Sequence, residues 1–198
     1  MSRHRLHALL LIAACAVSTG ASAHMGADFH THAEIGLFDG LRHPLTGLDH
    51  LSAMLAVGFW SALTARRLWT APLAFAAMLL VGALLGLAGM ALPAVEPMIA
   101  ASVLALGLLV ALRARLPAAL AAALVGLFAI FHGVAHGTEL AGAAHVWAPL
   151  AGMLITTVAL HATGLGLGLA MRRANTWVPR AAGAGVALLG ATLLTQLA

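Results

Sequence analysis

The chain has 198 residues, 62% of them hydrophobic and only 8% charged, with a formal net charge of +4. A soluble domain carries about 25% charged residues, so this chain cannot coat a water-facing surface and its composition defines a membrane protein. With no lysine and with arginines scattered singly or in pairs, the basic balance excludes a nucleic-acid-binding stripe, and the single Cys15 excludes an intrachain disulfide framework or a CxxC redox site.

In chain order, residues 1–23 read as a cleaved signal peptide. Arg3 and Arg5 form a basic start, Leu6 to Val17 a short apolar stretch, and Ala21-Ser22-Ala23 an A-x-A cleavage site. Cleavage there makes His24 the mature N-terminus. The competing reading is a lipobox, Ile12-Ala13-Ala14-Cys15, with an acyl group on Cys15. Residues 24–45 read as a periplasmic N-terminal segment and residues 46–198 as the transmembrane domain.

That domain is expected to be all-α, a polytopic bundle of six transmembrane helices. Spanning a ~30 Å hydrocarbon core takes about 20 apolar residues, and such runs lie near 46–65, 70–91, 97–112, 117–138, 147–170 and 178–197. Pro44, Pro72, Pro97, Pro117, Pro149 and Pro179 each sit near the start of one. Proline is tolerated there because the first-turn N–H has no helical partner.

Charge orients the bundle. Arg66, Arg67, Arg113, Arg115, Arg172, Arg173 and Arg180 fall after the first, third and fifth helices, and in the mature chain only Arg42 falls on the other side. The positive-inside rule makes the arginine-rich side cytoplasmic. The signal peptide independently places the mature N-terminus in the periplasm, and an even number of spans returns the C-terminus there. The expected location is the bacterial inner membrane, with the lipid bilayer as surroundings. Trp69, Trp147 and Trp177 near helix ends read as interface anchors. The pairs Gly82/Gly86, Gly133/Gly137 and Gly164/Gly168 have the small-xxx-small spacing that lets helices approach closely.

The polar residues are segregated. Every acidic residue (Asp28, Glu34, Asp39, Asp49, Glu96, Glu139) lies on the periplasmic half of this topology, as do all mature-chain histidines except His161. One cluster is His43-Pro-Leu-Thr-Gly-Leu-Asp49-His50, leading into the first helix. The other is His132-Gly-Val-Ala-His136-Gly-Thr-Glu139, ending the fourth. His132 and His136 are i,i+4 and Glu139 is i+3 from His136, so one helix face presents two imidazoles and a carboxylate in a column. His161 falls below that column if the fifth helix packs alongside. Imidazole nitrogen with carboxylate oxygen suits nickel, cobalt, zinc or copper(II) rather than magnesium or calcium. Gly133 and Gly137 remove bulk beside the histidines, giving room for a second helix or a hydrated ion. Glu96, just before Pro97, reads as a charge at a positive helix end, and His145 as a residue of the outer loop. Buried ionisable groups cost a few kcal/mol each and usually mark an ion path or relay.

These clusters resemble the HupE/UreJ family of nickel and cobalt permeases. The likeness rests on His43-Pro44 with Gly47, Asp49 and His50, and on His132-Gly133 with His136-Gly137 and Glu139. The signal peptide, the histidine directly after its cleavage site and the six spans fit the same plan. The resemblance implies a secondary permease that carries Ni²⁺, or Co²⁺ in some members, from periplasm to cytoplasm. It also implies a link to hydrogenase or urease maturation. His43, Asp49, His50, His132, His136 and Glu139 stand at the family's metal-handling positions, with His161 deeper on the path and His24 as a further candidate. No permanently bound cofactor is implied, since the metal is the cargo.

The rival is an intramembrane metal-dependent hydrolase using the same histidine and aspartate cluster, with metal-bound water as nucleophile. Against it, no HExxH motif is present, and Gly133, Val134 and Ala135 between His132 and His136 supply no general base.

Overall fold

A computed structural model describes residues 35–173 and 175–197. The signal peptide, Cys15, His24, His30 and His32 lie outside the described residues. All regular structure among the described residues is helical: α1 (Leu37–Thr46), α2 (Leu48–Thr64), α3 (Thr70–Leu87), α4 (Val95–Leu112), α5 (Ala118–Leu140), α6 (Trp147–Met171) and α7 (Trp177–Gln196). α3 to α7 are long and apolar enough to cross a bilayer. They expose large apolar side chains, among them Leu73, Leu108, Leu127, Ile155 and Leu188. On a water-facing surface so much apolar area would associate; in lipid it is the ordinary exterior. The chain is a multi-pass membrane protein.

α2 is shorter, at 17 residues. At 1.5 Å per residue this is about 25 Å, a few ångströms under the hydrocarbon thickness. It is also the most enclosed helix, packed against α1, α3, α4, α6 and α7. Met54, Val57, Trp60 and Leu63 are buried there with Phe75 and Leu79 of α3 and Val103 and Leu106 of α4.

The sequence reading places Pro44 at the start of a helix, and here the structure differs. Pro44 is the eighth residue of α1, an additional helix that ends at Gly47, whose backbone is extended (φ −90°, ψ 122°). α1 starts where the Gly36 N–H donates to Asp39 Oδ2 at 2.8 Å, so this acidic residue caps a helix end. α1 is held on the N-terminal end of α6. Gly40 lies so close to Pro149 that a Cβ would overlap its carbonyl, and Thr156 Oγ1 donates to the Leu41 carbonyl at 2.8 Å. The other five prolines read as helix starts behave as expected: Pro117 caps α5, while Pro72, Pro97, Pro149 and Pro179 lie in first turns.

Glycines set the helix pairs. On α5, a Cβ at Gly133 would overlap the Leu79 carbonyl of α3, and one at Gly137 the Ala83 carbonyl. Residue numbers rise together along that contact, so α3 and α5 run parallel. The same holds for α2 and α6, where Leu55 meets Gly164 and Phe59 meets Gly168. α4 and α7 run antiparallel, with Leu104 beside Gly190 and Ala111 beside Gly183. These are the relative directions that strict alternation from α2 to α7 requires. A consequence is that Gly137→Leu separates α3 from α5. The variant is expected to lose most of its monodisperse protein in detergent, read by size-exclusion chromatography. Gly166→Leu, at a position facing open space, is expected to leave it unchanged.

Candidate metal site

The site is built where α1, the first turn of α2 and the last two turns of α5 meet. α1 brings His43, α2 brings Asp49 and His50, and α5 brings His132, His136 and Glu139. The i,i+4 and i+3 spacing on α5 stacks its three groups, and the glycine contact with α3 fixes the height of that stack. Gly47 gives the aspartate its place, since a Cβ there would come within 2.6 Å of Asp49 Oδ1.

Four imidazoles form one cluster. The His136 ring lies 4.8 Å from that of His43 and 4.6 Å from that of His50, and His50 lies 4.7 Å from His132, centroid to centroid. His43 Nε2 is 3.2 Å from Glu139 Oε2, and His136 Nδ1 is 3.6 Å from the same oxygen. One ligand atom each from His43, His136 and Glu139 lies within 4.8 Å of the others. A first-row dication with nitrogen ligands at about 2.0–2.1 Å would draw such a set slightly together.

Burial grades the cluster. Glu139 is about one-third exposed, His43 less so, and His132 and His136 are fully enclosed. Glu139, Asp49 and His43 therefore stand toward the open end, with His132 and His136 below. The charges of Asp49, Glu139 and Glu96 all act on His50. Glu96 itself stands in the first turn of α4, the helix-end position expected of it.

Hydrogen bonds define which nitrogens are free. Asp49 Oδ1 accepts from the His50 backbone N–H at 2.7 Å and from His50 Nδ1 at 2.9 Å. A carboxylate only accepts, so Nδ1 carries a proton, and in the neutral ring that binds metal Nε2 keeps its lone pair. His132 Nε2 lies 2.9 Å from Ser102 Oγ on α4. Among the described residues, His50 Nε2, His132 Nδ1 and both nitrogens of His136 are buried without a hydrogen bond. A fold assembled for stability alone satisfies its buried polar atoms. Three imidazole nitrogens with no polar partner, beside His136 Nδ1 with only the Glu139 carboxylate at 3.6 Å, point to a ligand.

The structure brings together His43, Asp49, His50, His132, His136 and Glu139. It sets His161 apart. Phe75 of α3 contacts both sides, 5.5 Å from His132 and 5.2 Å from His161 between ring centroids. His161 Nε2 and Thr157 Oγ1, one turn apart on α6, are buried without hydrogen bonds. His145 is exposed in the loop before α6. Sequence reasoning passed over Phe75, Ser102 and Thr157. Only Ser102 left a signal, being the one polar side chain between Met98 and Leu112.

These features define a polytopic helical membrane protein with a buried histidine cluster opening onto carboxylates at one end. The chain belongs to the HupE/UreJ family, whose profile, described as HupE / UreJ protein, matches residues 12–193. It is 46% identical over 185 residues to Protein HupE of Rhizobium leguminosarum bv. viciae, covering 92% of this chain and 94% of that protein. No solved structure matches the chain.

Proposed function

We propose that the protein is a permease of the bacterial inner membrane that imports a divalent transition metal, Ni²⁺ foremost and Co²⁺ as the other candidate, from periplasm to cytoplasm. The observation that carries this reading is the cluster of unsatisfied imidazole nitrogens beneath Glu139 and Asp49. Outer carboxylates attract the hydrated ion. His43, His136 and Glu139 replace part of its water, and His50 and His132 receive it one step deeper. The ion then passes the Phe75 ring to His161. Mixed nitrogen and oxygen ligands bind firmly enough to admit an ion and weakly enough to release it. The metal is cargo, and no permanently held cofactor is needed. Supply to a nickel enzyme such as hydrogenase or urease is the downstream use that the family suggests.

A dication crossing an inside-negative membrane gains about 4.6 kcal/mol per 100 mV, twice the single-charge value. That corresponds to roughly three decades of accumulation, so uniport suffices. The hydrolase reading is weaker. A hydrolytic site gathers its ligands round one open position, whereas these polar groups continue inward past Phe75 to Thr157 and His161. The test is uptake of radioactive nickel by cells expressing the protein, with unlabelled cobalt, zinc and magnesium as competitors. Of these, only cobalt is expected to compete. No uptake above the empty vector overturns the proposal.

The same reading comprises six spans, α2 to α7, with both mature ends in the periplasm. Arg66 and Arg67 follow α2, Arg113 and Arg115 follow α4, and Arg172 and Arg173 follow α6, all at the end opposite the carboxylates. Alkaline phosphatase, which folds only in the periplasm, is expected to be active when fused after Gln196 and inactive when fused at Arg115. The reverse pattern would invert the direction of transport.

A further inference from the structure

Ser102 lies in the middle of an apolar helix and is fully buried. Its hydroxyl has one proton. Ser102 Oγ is 2.6 Å from the Ile99 carbonyl oxygen, one turn back on α4. A carbonyl can only accept, so the serine's proton is committed there. The second contact of Ser102 Oγ is His132 Nε2 at 2.9 Å. With its proton already used, the serine oxygen can only accept at this contact, and Nε2 must donate. In the neutral ring that metal ligation requires, a proton on Nε2 leaves the lone pair on Nδ1. That atom is the buried, unpartnered nitrogen of His132.

We infer that Ser102 is a positioning residue that locks His132 as its Nε2–H tautomer and so reserves Nδ1 as the metal donor of the inner half of the site. The arrangement parallels His50, whose Nδ1–H is held by Asp49 and whose Nε2 is left free. Two neighbouring rings, 4.7 Å apart, are thus each fixed by an oxygen on one nitrogen and vacant on the other. Outer partners of this kind orient a metal-binding imidazole and set its tautomer, and losing one typically lowers affinity about 10–100-fold. The use of Nδ1 for metal rests on the transport reading; the tautomer does not.

Nitrogen-15 NMR of histidine-labelled, metal-free, full-length protein in detergent reads the tautomer directly. The His132 signals are assigned by their loss in His132→Gln. A protonated Nε2 and an unprotonated Nδ1 are expected, with a mixture of tautomers in Ser102→Ala. The half-saturating nickel concentration for uptake is expected to rise about 10–100-fold in Ser102→Ala, with an unchanged amount of membrane-inserted protein. A proton on Nδ1 of His132 in the unsubstituted chain overturns the proposal. So does a Ser102→Ala chain with unaltered tautomer and unaltered half-saturation. If that variant fails to insert, the spectrum of the unsubstituted chain decides. A chain that shows the expected tautomer and carries no nickel refutes the transport reading instead.

Discussion

His136→Leu is expected to abolish metal uptake while the metal-free protein keeps its thermal stability or gains some. The reason lies in what His136 does not do. It is fully buried, yet Nε2 has no hydrogen bond among the described residues and Nδ1 has only a long 3.6 Å contact with Glu139 Oε2. Leaving a buried polar atom unsatisfied costs about 1–3 kcal/mol, so an apolar side chain of similar volume relieves a burden rather than creating one. For the cargo the same exchange is severe. His136 is the ring that lies against both His43, beside Glu139, and His50, beside His132, so its loss interrupts both halves of the site at once. A missing ligand worth only about 3 kcal/mol lowers flux roughly a hundredfold. His145→Ala, in the exposed loop, is expected to transport normally and serves as the control. Uptake normalised to membrane-inserted protein, with the melting temperature of purified protein, checks the pair of expectations. Normal transport by His136→Leu would remove it from the path. Loss of the protein from the membrane would make it a packing residue.

Asp49→Asn separates charge from positioning. Asp49 Oδ1 accepts two hydrogen bonds from His50, and the side-chain oxygen of asparagine can accept both. The His50 ring should therefore keep its orientation and its free Nε2. What is lost is one negative charge facing a dication in a partly enclosed site. A unit charge pair at 4 Å is worth about 4 kcal/mol at an effective dielectric constant of 20. Asp49 keeps some contact with solvent, so screening reduces that value, and a fall in uptake of about tenfold to a hundredfold is expected. Asp49→Ala removes charge and hydrogen bonds together and is expected to be worse. Equal uptake by Asp49→Asn and the unsubstituted protein would show that the carboxylate serves only to hold His50.

Much of the fold was legible because the membrane imposes a length on each apolar run and because proline marks helix starts. The ends of α3 to α7 fall within a few residues of the sequence expectation. α1 was not legible, for a specific reason. Its only proline sits near its C-terminal end, at Pro44, and its buried face is only Gly40 and Pro44, with backbone lying close against α6, which no apolar run announces. The column on α5 could be read from i,i+4 spacing within one helix. The approach of His50 to His132 and His136 could not, because it depends on how deep α2 sits beside α5, a distance set by the packing of several helices. Ser102 was invisible for the same reason: a single serine in an apolar helix gains meaning only when the imidazole across from it is known.

The most direct test of the account is nickel flux into sealed vesicles that contain only the purified protein. With a potassium diffusion potential negative inside and a nickel-sensitive dye trapped within, the account predicts accumulation well above the external concentration. It predicts collapse of that accumulation when the potential is removed, and none with His136→Leu. Flux no greater than in protein-free vesicles, or equal flux in the His136→Leu vesicles, would contradict it.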